Sequence, residues 1–214
     1  MEQRTTVRRI ALRSATGLRD DVKDEIERQV AFAYFSRDEI LDRVLGVFDG
    51  LAAEYRPALV RAIDEAFARR DAESERWPRR TDCDLLFNVF GDLERTNILA
   101  VENCGVNMPD GIRLITRLHD ARHARGWRGR GYCFYHEQDI ADAIEGEGLM
   151  LAFGAFDSHP RAPVEIGRLV VAACRARGLA VEWSGDPGDR IALPELIWQC
   201  RPRWNTRPAN SFAA

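Results

Sequence analysis

The stretch GRGYCFYHEQDIADAIEGEGLMLAFGAF, residues 129–156, joins the strongest buried-strand signal in the chain to its densest group of polar side chains. From Gly129 to Tyr135 an extended backbone puts Tyr132 and Phe134 on one side and Cys133 and Tyr135 on the other. Ile140, Ala143 and Ile144 then recur at helical spacing, and Gly146 and Gly148 close that short helix. Leu149–Ala155 is apolar on both faces, as expected of a strand in the middle of a sheet covered on both sides. The polar run from Tyr135 to Asp139 lies where the first strand feeds the helix.

Working outward, Asn97–Val101 reads as another strand, and Pro109 opens a helix carrying Ile112, Leu114, Ile115 and Leu118. Downstream, Pro163 starts a helix with Ile166, Leu169, Val170 and Ala173, ended by Gly178. Leu179, Val181 and Trp183 alternate as in a strand, a Gly-Asp-Pro-Gly-Asp turn leads to Arg190–Leu193, and Leu196, Trp198 and Cys200 predict a last edge strand. The order from Asn97 predicts an α+β fold with a ferredoxin-like (split βαβ), mostly antiparallel sheet and an added C-terminal hairpin. Its first and third strands would be central. A doubly wound α/β sheet is the alternative, set back by the hairpin after Trp183, which must be antiparallel.

A helical subdomain precedes this. Val22, Ile26, Val30, Ala33 and Tyr34 give one helical stripe; Ser36 with Glu39 forms a capping box before Ile40, Leu41, Val44, Leu45 and Phe48, with Gly50 as terminator. Pro57 opens a third helix that buries Leu59, Val60, Ile63 and Phe67, and the charged run Arg69–Arg76 is its solvated end. Thr81 and Asp84 cap a fourth helix with Leu85, Leu86, Val89, Phe90 and Leu93. The expected organisation is a loose leader over 1–16, a helical subdomain over 17–76, the α+β domain over 77–204 and a frayed tail over 205–214.

With 214 residues, 45% hydrophobic and 30% charged, the chain has ordinary globular composition. No apolar run reaches the roughly 18–20 residues a membrane helix needs, and the N-terminus lacks a secretory apolar core, so the expected location is cytoplasmic. Five cysteines, spread out and never in a C-x-x-C pair, encode neither a disulfide framework nor a cysteine zinc site. A net charge of -3 argues against nucleic acid as a partner, although Arg4, Arg8, Arg9 and Arg13 make the start locally basic.

His119-Asp120-Ala121-Arg122-His123 has the i, i+4 histidine spacing that zinc hydrolases use, with Asp where their general base is Glu. Asp is one methylene shorter, and the two histidines sit at the edge of an apolar stripe where boundary histidines are common. His136 falls at the N-cap of its helix, and Glu137, Gln138 and Asp139 in the first turn are then explained by the helix dipole. Histidine caps poorly beside Ser, Thr or Asp, which turns attention to a functional role as acid, base or ligand. The catalytic candidates are His136, Glu137 and Tyr135; the metal candidates are His119 and His123; the binding candidates are Asn103, Tyr135, His136 and Asp139. Asp82 with Asp84 reads as a helix start, Asp186–Arg190 as turn chemistry, and the basic Gly-Trp-Arg-Gly-Arg-Gly run at 126–131 as a tight loop rather than an RNA contact.

Several pieces together resemble a bacterial family of unknown activity, domain of unknown function 6891. They are WPRRTDCD (77–84), NILAVENCG (97–105), GYCFYHEQD (131–139), GLMLAFGA (148–155), EIGRLVVAACRARGLAVEWSGDPGDRI (165–191) and Trp198, over roughly the last two thirds of the chain. The resemblance implies kinship and supplies no mechanism. Relatives carry a C-C-x-x-C-G segment where this chain has only Asn103-Cys104-Gly105, a departure that counts against a metal or redox role for that loop.

The expectation from the sequence is a non-catalytic binding or regulatory module acting on a protein partner or a small ligand, without a resident cofactor. The alternative is a metal-dependent hydrolase, zinc being the metal, with His119, His123 and His136 in one cluster and Asp120 or Glu137 as base.

Overall fold

The computed structural model describes residues 13–14, 17–47 and 55–203. These fall into two compact units, one of residues up to Arg76 together with Pro202 and Arg203, the other of Trp77–Arg201. Phe48, Gly50 and the tail over 205–214 lie outside the described residues, as does most of the leader.

In the first unit, β1 (Arg13–Ser14) pairs antiparallel with β2 (Gly17–Leu18), and α1 (Asp20–Phe32), α2 (Arg37–Val47) and α3 (Arg56–Ser74) follow. The capping box at α2 forms, with the Glu39 amide donating to Ser36 Oγ at 3.3 Å and the Ser36 amide donating to Glu39 Oε2 at 2.7 Å. α3 buries Leu59, Ile63, Ala66 and Phe67. Val60, expected in that stripe, is 41% exposed, because one residue on from Leu59 is about 100° round the helix.

The second unit contains α4 (Asp82–Arg95), β3 (Ile98–Val101), α5 (Met108–Ala124), β4 (Gly131–Phe134), α6 (Glu137–Ile144), β5 (Leu149–Ala155), α7 (Ala162–Ala176) and β6 (Ile191–Leu193). The α+β class holds, but the sheet runs in chain order, β3-β4-β5-β6. β3 and β4 are parallel, while β4–β5 and β5–β6 are antiparallel. This mixed sheet is neither the split βαβ order nor a doubly wound parallel one. β5 is internal as expected; β3 is at an edge.

The apolarity of β3 comes from cover above and below, not from strands on both sides. On one face Leu99, Phe134 and Ala152 pack with Leu114 and Ile115 of α5. On the other, a Cβ at Gly131 would come within 2.3 Å of the Gly154 carbonyl and 2.7 Å of Ile166 on α7, so only glycine allows that approach. The open edge of β3 is closed by a side chain: the Ala100 amide donates to Glu94 Oε1 at 3.0 Å, and Arg122 donates to Glu94 Oε2 at 2.7 Å.

Two further expected strands are absent as strands. Within 179–183 only Glu182 bridges, to Ala192, because the chain turns around the Trp183 indole, whose Nε1 donates to the carbonyls of Asp186 at 3.0 Å and Asp189 at 3.3 Å. From 196 to 200 the alternation is real, with Leu196, Trp198 and Cys200 all buried. The segment lies against the start of α4 instead of a strand, the Ile197 amide donating to Asp82 Oδ2 at 2.9 Å.

Candidate functional site

The parallel pair β3–β4 directs two strand ends the same way, and the loops that follow join. The Cys104 amide donates to the Tyr135 carbonyl at 2.7 Å, the Glu137 amide to the Gly105 carbonyl at 3.0 Å and the Gln138 amide to the Val106 carbonyl at 3.3 Å. Pairing thus continues past the last ladder residues, Val101 and Phe134. Ligands of open α/β sheets bind outside such carboxyl ends, and Asn103, Tyr135, His136, Glu137 and Asp139 meet there.

His136 is the N-cap of α6 in a buried capping box, 4% exposed, with Asp139 at 1%. The His136 amide donates to Asp139 Oδ2 at 2.8 Å. Nδ1 of the ring faces two groups that want opposite protonation: the Asp139 amide at 3.3 Å needs a lone pair there, and Asp139 Oδ2 at 2.9 Å needs a proton. The contact with the carboxylate is the shorter of the two. The other carboxylate oxygen, Oδ1, accepts from Arg190 Nη2 at 2.7 Å, and the same nitrogen donates to the Met150 carbonyl at 2.8 Å. Arg190 therefore neutralises a carboxylate that would otherwise be buried uncompensated.

Tyr135 is 1% exposed, wedged between the rings of Phe90 (5.3 Å) and Trp198 (6.2 Å), and its hydroxyl donates to Glu102 Oε2 at 3.3 Å. Asn103 is 4% exposed in the left-handed region at φ 48, and its Oδ1 is buried without a hydrogen-bond partner. Such an orphan costs about 1–3 kcal/mol. Burial pushes the Cys104 thiol up to about 12, which favours its protonated form.

His119 and His123 lie on successive turns of α5 with ring centroids 5.5 Å apart. His119 stacks on Phe156 at 4.0 Å and meets the edge of Trp127 at 6.4 Å. The three-histidine cluster does not form. His136 adjoins the start of α5 through Gly105, and a rise of about 1.5 Å per residue puts His119 roughly 15 Å further along that helix. Among the described residues no three His, Cys, Asp or Glu side chains are grouped to hold a metal ion. Asp120 stays with His119, 3.2 Å from its Nδ1. Trp127 explains Gly129, where a Cβ would lie 2.3 Å from the indole. Asp82 and Asp84 hold Ile197 and Arg201 respectively.

Asp139 was a binding candidate from the sequence, but Glu102 and the pairing of Arg190 with Asp139 were not legible from spacing. Glu102 did carry a signal, since it follows β3 as Tyr135 follows β4.

The second unit is thus an α+β domain with a candidate site at the joined loops after its parallel strand pair. The chain belongs to the family described as Domain of unknown function (DUF6891), whose profile matches residues 15–202 and so takes in the helical segment as well as the sheet. No curated protein and no solved structure matches the chain. No described helix is long and apolar enough to cross a membrane.

Proposed function

We propose that this protein is a non-catalytic binding or regulatory module whose small ligand or protein partner docks at the loops after β3 and β4. The observation that carries this is the buried, unpartnered Oδ1 of Asn103 beside the Tyr135–Asp139 junction. The other candidates there have structural work: Tyr135 fills the space between α4 and the C-terminal segment, and His136 with Asp139 starts α6. Five free, buried cysteines support a reducing, cytoplasmic setting. The test is an amide-resolved NMR titration of the full chain with a mixture of polar metabolites. Shifts should gather at 102–106 and 135–139; shifts confined to the His119–Phe156 side would discard the site.

A second reading is favoured by one distance. The 2.9 Å contact from His136 Nδ1 to Asp139 Oδ2 has the spacing of the base-and-orienter relation of hydrolases. In that case His136 activates a water without the other two histidines, and His136→Asn, which keeps a good N-cap, abolishes turnover while leaving stability nearly unchanged.

A further inference from the structure

At the opposite end of β4 from the His136 junction, arginines and aromatic rings gather on one surface. From Ala121 to His136 the sequence holds no Asp or Glu, while Arg122, Arg125, Arg128 and Arg130 fall within nine residues. The chain turns back after α5, the Trp127 amide donating to the Arg122 carbonyl at 3.1 Å. That turn carries the Trp127 ring over Gly129, where a Cβ would lie 2.3 Å from the indole and 3.1 Å from the Phe156 ring. His119 completes the group, stacked on Phe156 at 4.0 Å with 23% of its side chain still exposed. Trp127 and Phe156 are likewise only partly buried.

The arginines are tied to these rings through the backbone. The register that pairs Gly131 with Ala155 brings Arg130 opposite Phe156, whose amide donates to the Arg130 carbonyl at 3.1 Å. Arg128 Nη1 donates to the carbonyls of His123 at 3.2 Å and Trp127 at 3.1 Å, contacts that leave its charge uncompensated. Arg125, Arg128 and Arg130 are exposed, with no carboxylate partner among the described residues. The acids that border the surface are engaged: Glu94 by Arg122 and the Ala100 amide, Asp120 by His119 and Asp157 by the His159 amide.

The net charge of -3 is a sum over the whole chain, whereas a phosphate at physiological salt feels charges within about 8 Å. Here it meets uncompensated guanidinium groups beside rings that keep part of their surface in water. Single-stranded nucleic acid matches both features, because each nucleotide presents one phosphate and one base free to stack. A duplex keeps its base faces stacked inside, and a lipid headgroup has none. Going beyond the binding-module assignment, which concerns the other end of β4, we propose that the surface formed by Trp127, Phe156 and His119 with Arg125, Arg128 and Arg130 binds a single-stranded nucleic acid. The rings stack on bases and the guanidinium groups pair with phosphates.

Fluorescence anisotropy of the full chain with labelled rU20 and dT20 tests this, with an abasic 20-mer, a 20-base-pair duplex and phosphatidylserine vesicles as comparison probes. At least one of the two strands should bind at 50 mM salt and weaken about tenfold or more by 200 mM, since three phosphate contacts give a logarithmic slope of about -2. A preference between them tells RNA from DNA. Arg125→Gln with Arg130→Gln, both at exposed side chains, should weaken binding about tenfold and flatten the slope to about -0.7. The abasic strand should bind about fivefold or more weakly than the base-bearing one. Equal binding of the abasic strand or of the duplex overturns the inference, because the rings then read no base. Unchanged affinity in the double variant overturns it as well, since the strand is then held elsewhere, as by the basic start of the chain at Arg4, Arg8, Arg9 and Arg13. Binding of vesicles without either strand makes the surface a membrane contact and overturns it, and so does the absence of any binding. None of these outcomes bears on the loops after β3 and β4, whose test is the metabolite titration.

Discussion

Nδ1 of His136 and Oδ2 of Asp139 lie 2.9 Å apart at the start of α6, both side chains almost wholly enclosed. A histidine that caps a helix poorly in isolation works here because the carboxylate one turn on binds both its ring and its backbone amide. Arg190, from beyond α7, holds that carboxylate from its other side.

Replacing His136 separates its structural and chemical parts. His136→Ala should destabilise the protein by about 1–3 kcal/mol, since the buried contacts of the ring with the Asp139 amide and carboxylate are lost. His136→Asn should recover most of that loss. Urea unfolding followed by circular dichroism measures both, and equal losses would show that the cap is not what the ring provides.

Asp139→Ala should cost more, about 3–5 kcal/mol, because it strands Arg190 beside the Met150 carbonyl and removes the acceptor of the His136 amide. Arg190→Met in the Asp139→Ala background should regain part of it. A double-mutant cycle by chemical denaturation gives the coupling, and additive effects would deny the pair.

Gly131→Ala should cost about 2–3 kcal/mol, since the new Cβ meets the Gly154 carbonyl and Ile166 at under 3 Å. Thermal unfolding checks this, with Gly126→Ala as the contrast: nothing lies within 4 Å of a Cβ there, so its loss comes only from φ +90.

Cys104 makes stability fall at alkaline pH. Burial raises its thiol from the ordinary 9.0 to about 12, so the protonated form is favoured on folding. The stabilisation is complete below about pH 9 and is lost as pH rises toward 12. In Cys104→Ala the decline over that interval should be shallower than in wild type, by at most about 1.4 kcal/mol per pH unit for one group. Identical slopes would mean the thiol titrates alike in both states.

Glu94→Gln should lower stability by about 1 kcal/mol, because the Ala100 amide keeps an acceptor while the ion pair with Arg122 is lost. Glu94→Ala also bares the edge of β3 and should raise aggregation, read by light scattering during heating.

Much of the local structure was legible before folding. Period and caps located the helices, and Leu149–Ala155 was placed as a strand to the residue. The Ser36 and Thr81 caps could be read because their partners are three residues away. The junction at His136 was visible as an anomaly, a histidine where Ser or Asp is expected. Its meaning was not, because Arg190 is 51 residues from Asp139.

What the sequence determined by itself is whatever depends on neighbours within a turn or two: the elements, their caps, the α+β class and the conspicuous His136. The tertiary structure alone decided strand order, since an apolar strand records only that both of its faces are covered, which helices do for β3 as well as strands could. It likewise decided that 196–200 packs without a ladder, that His119 and His123 stay apart from His136, and that Asn103 is buried without a donor. Each of these depends on which distant segments meet, and a residue's type carries no record of its partner's position.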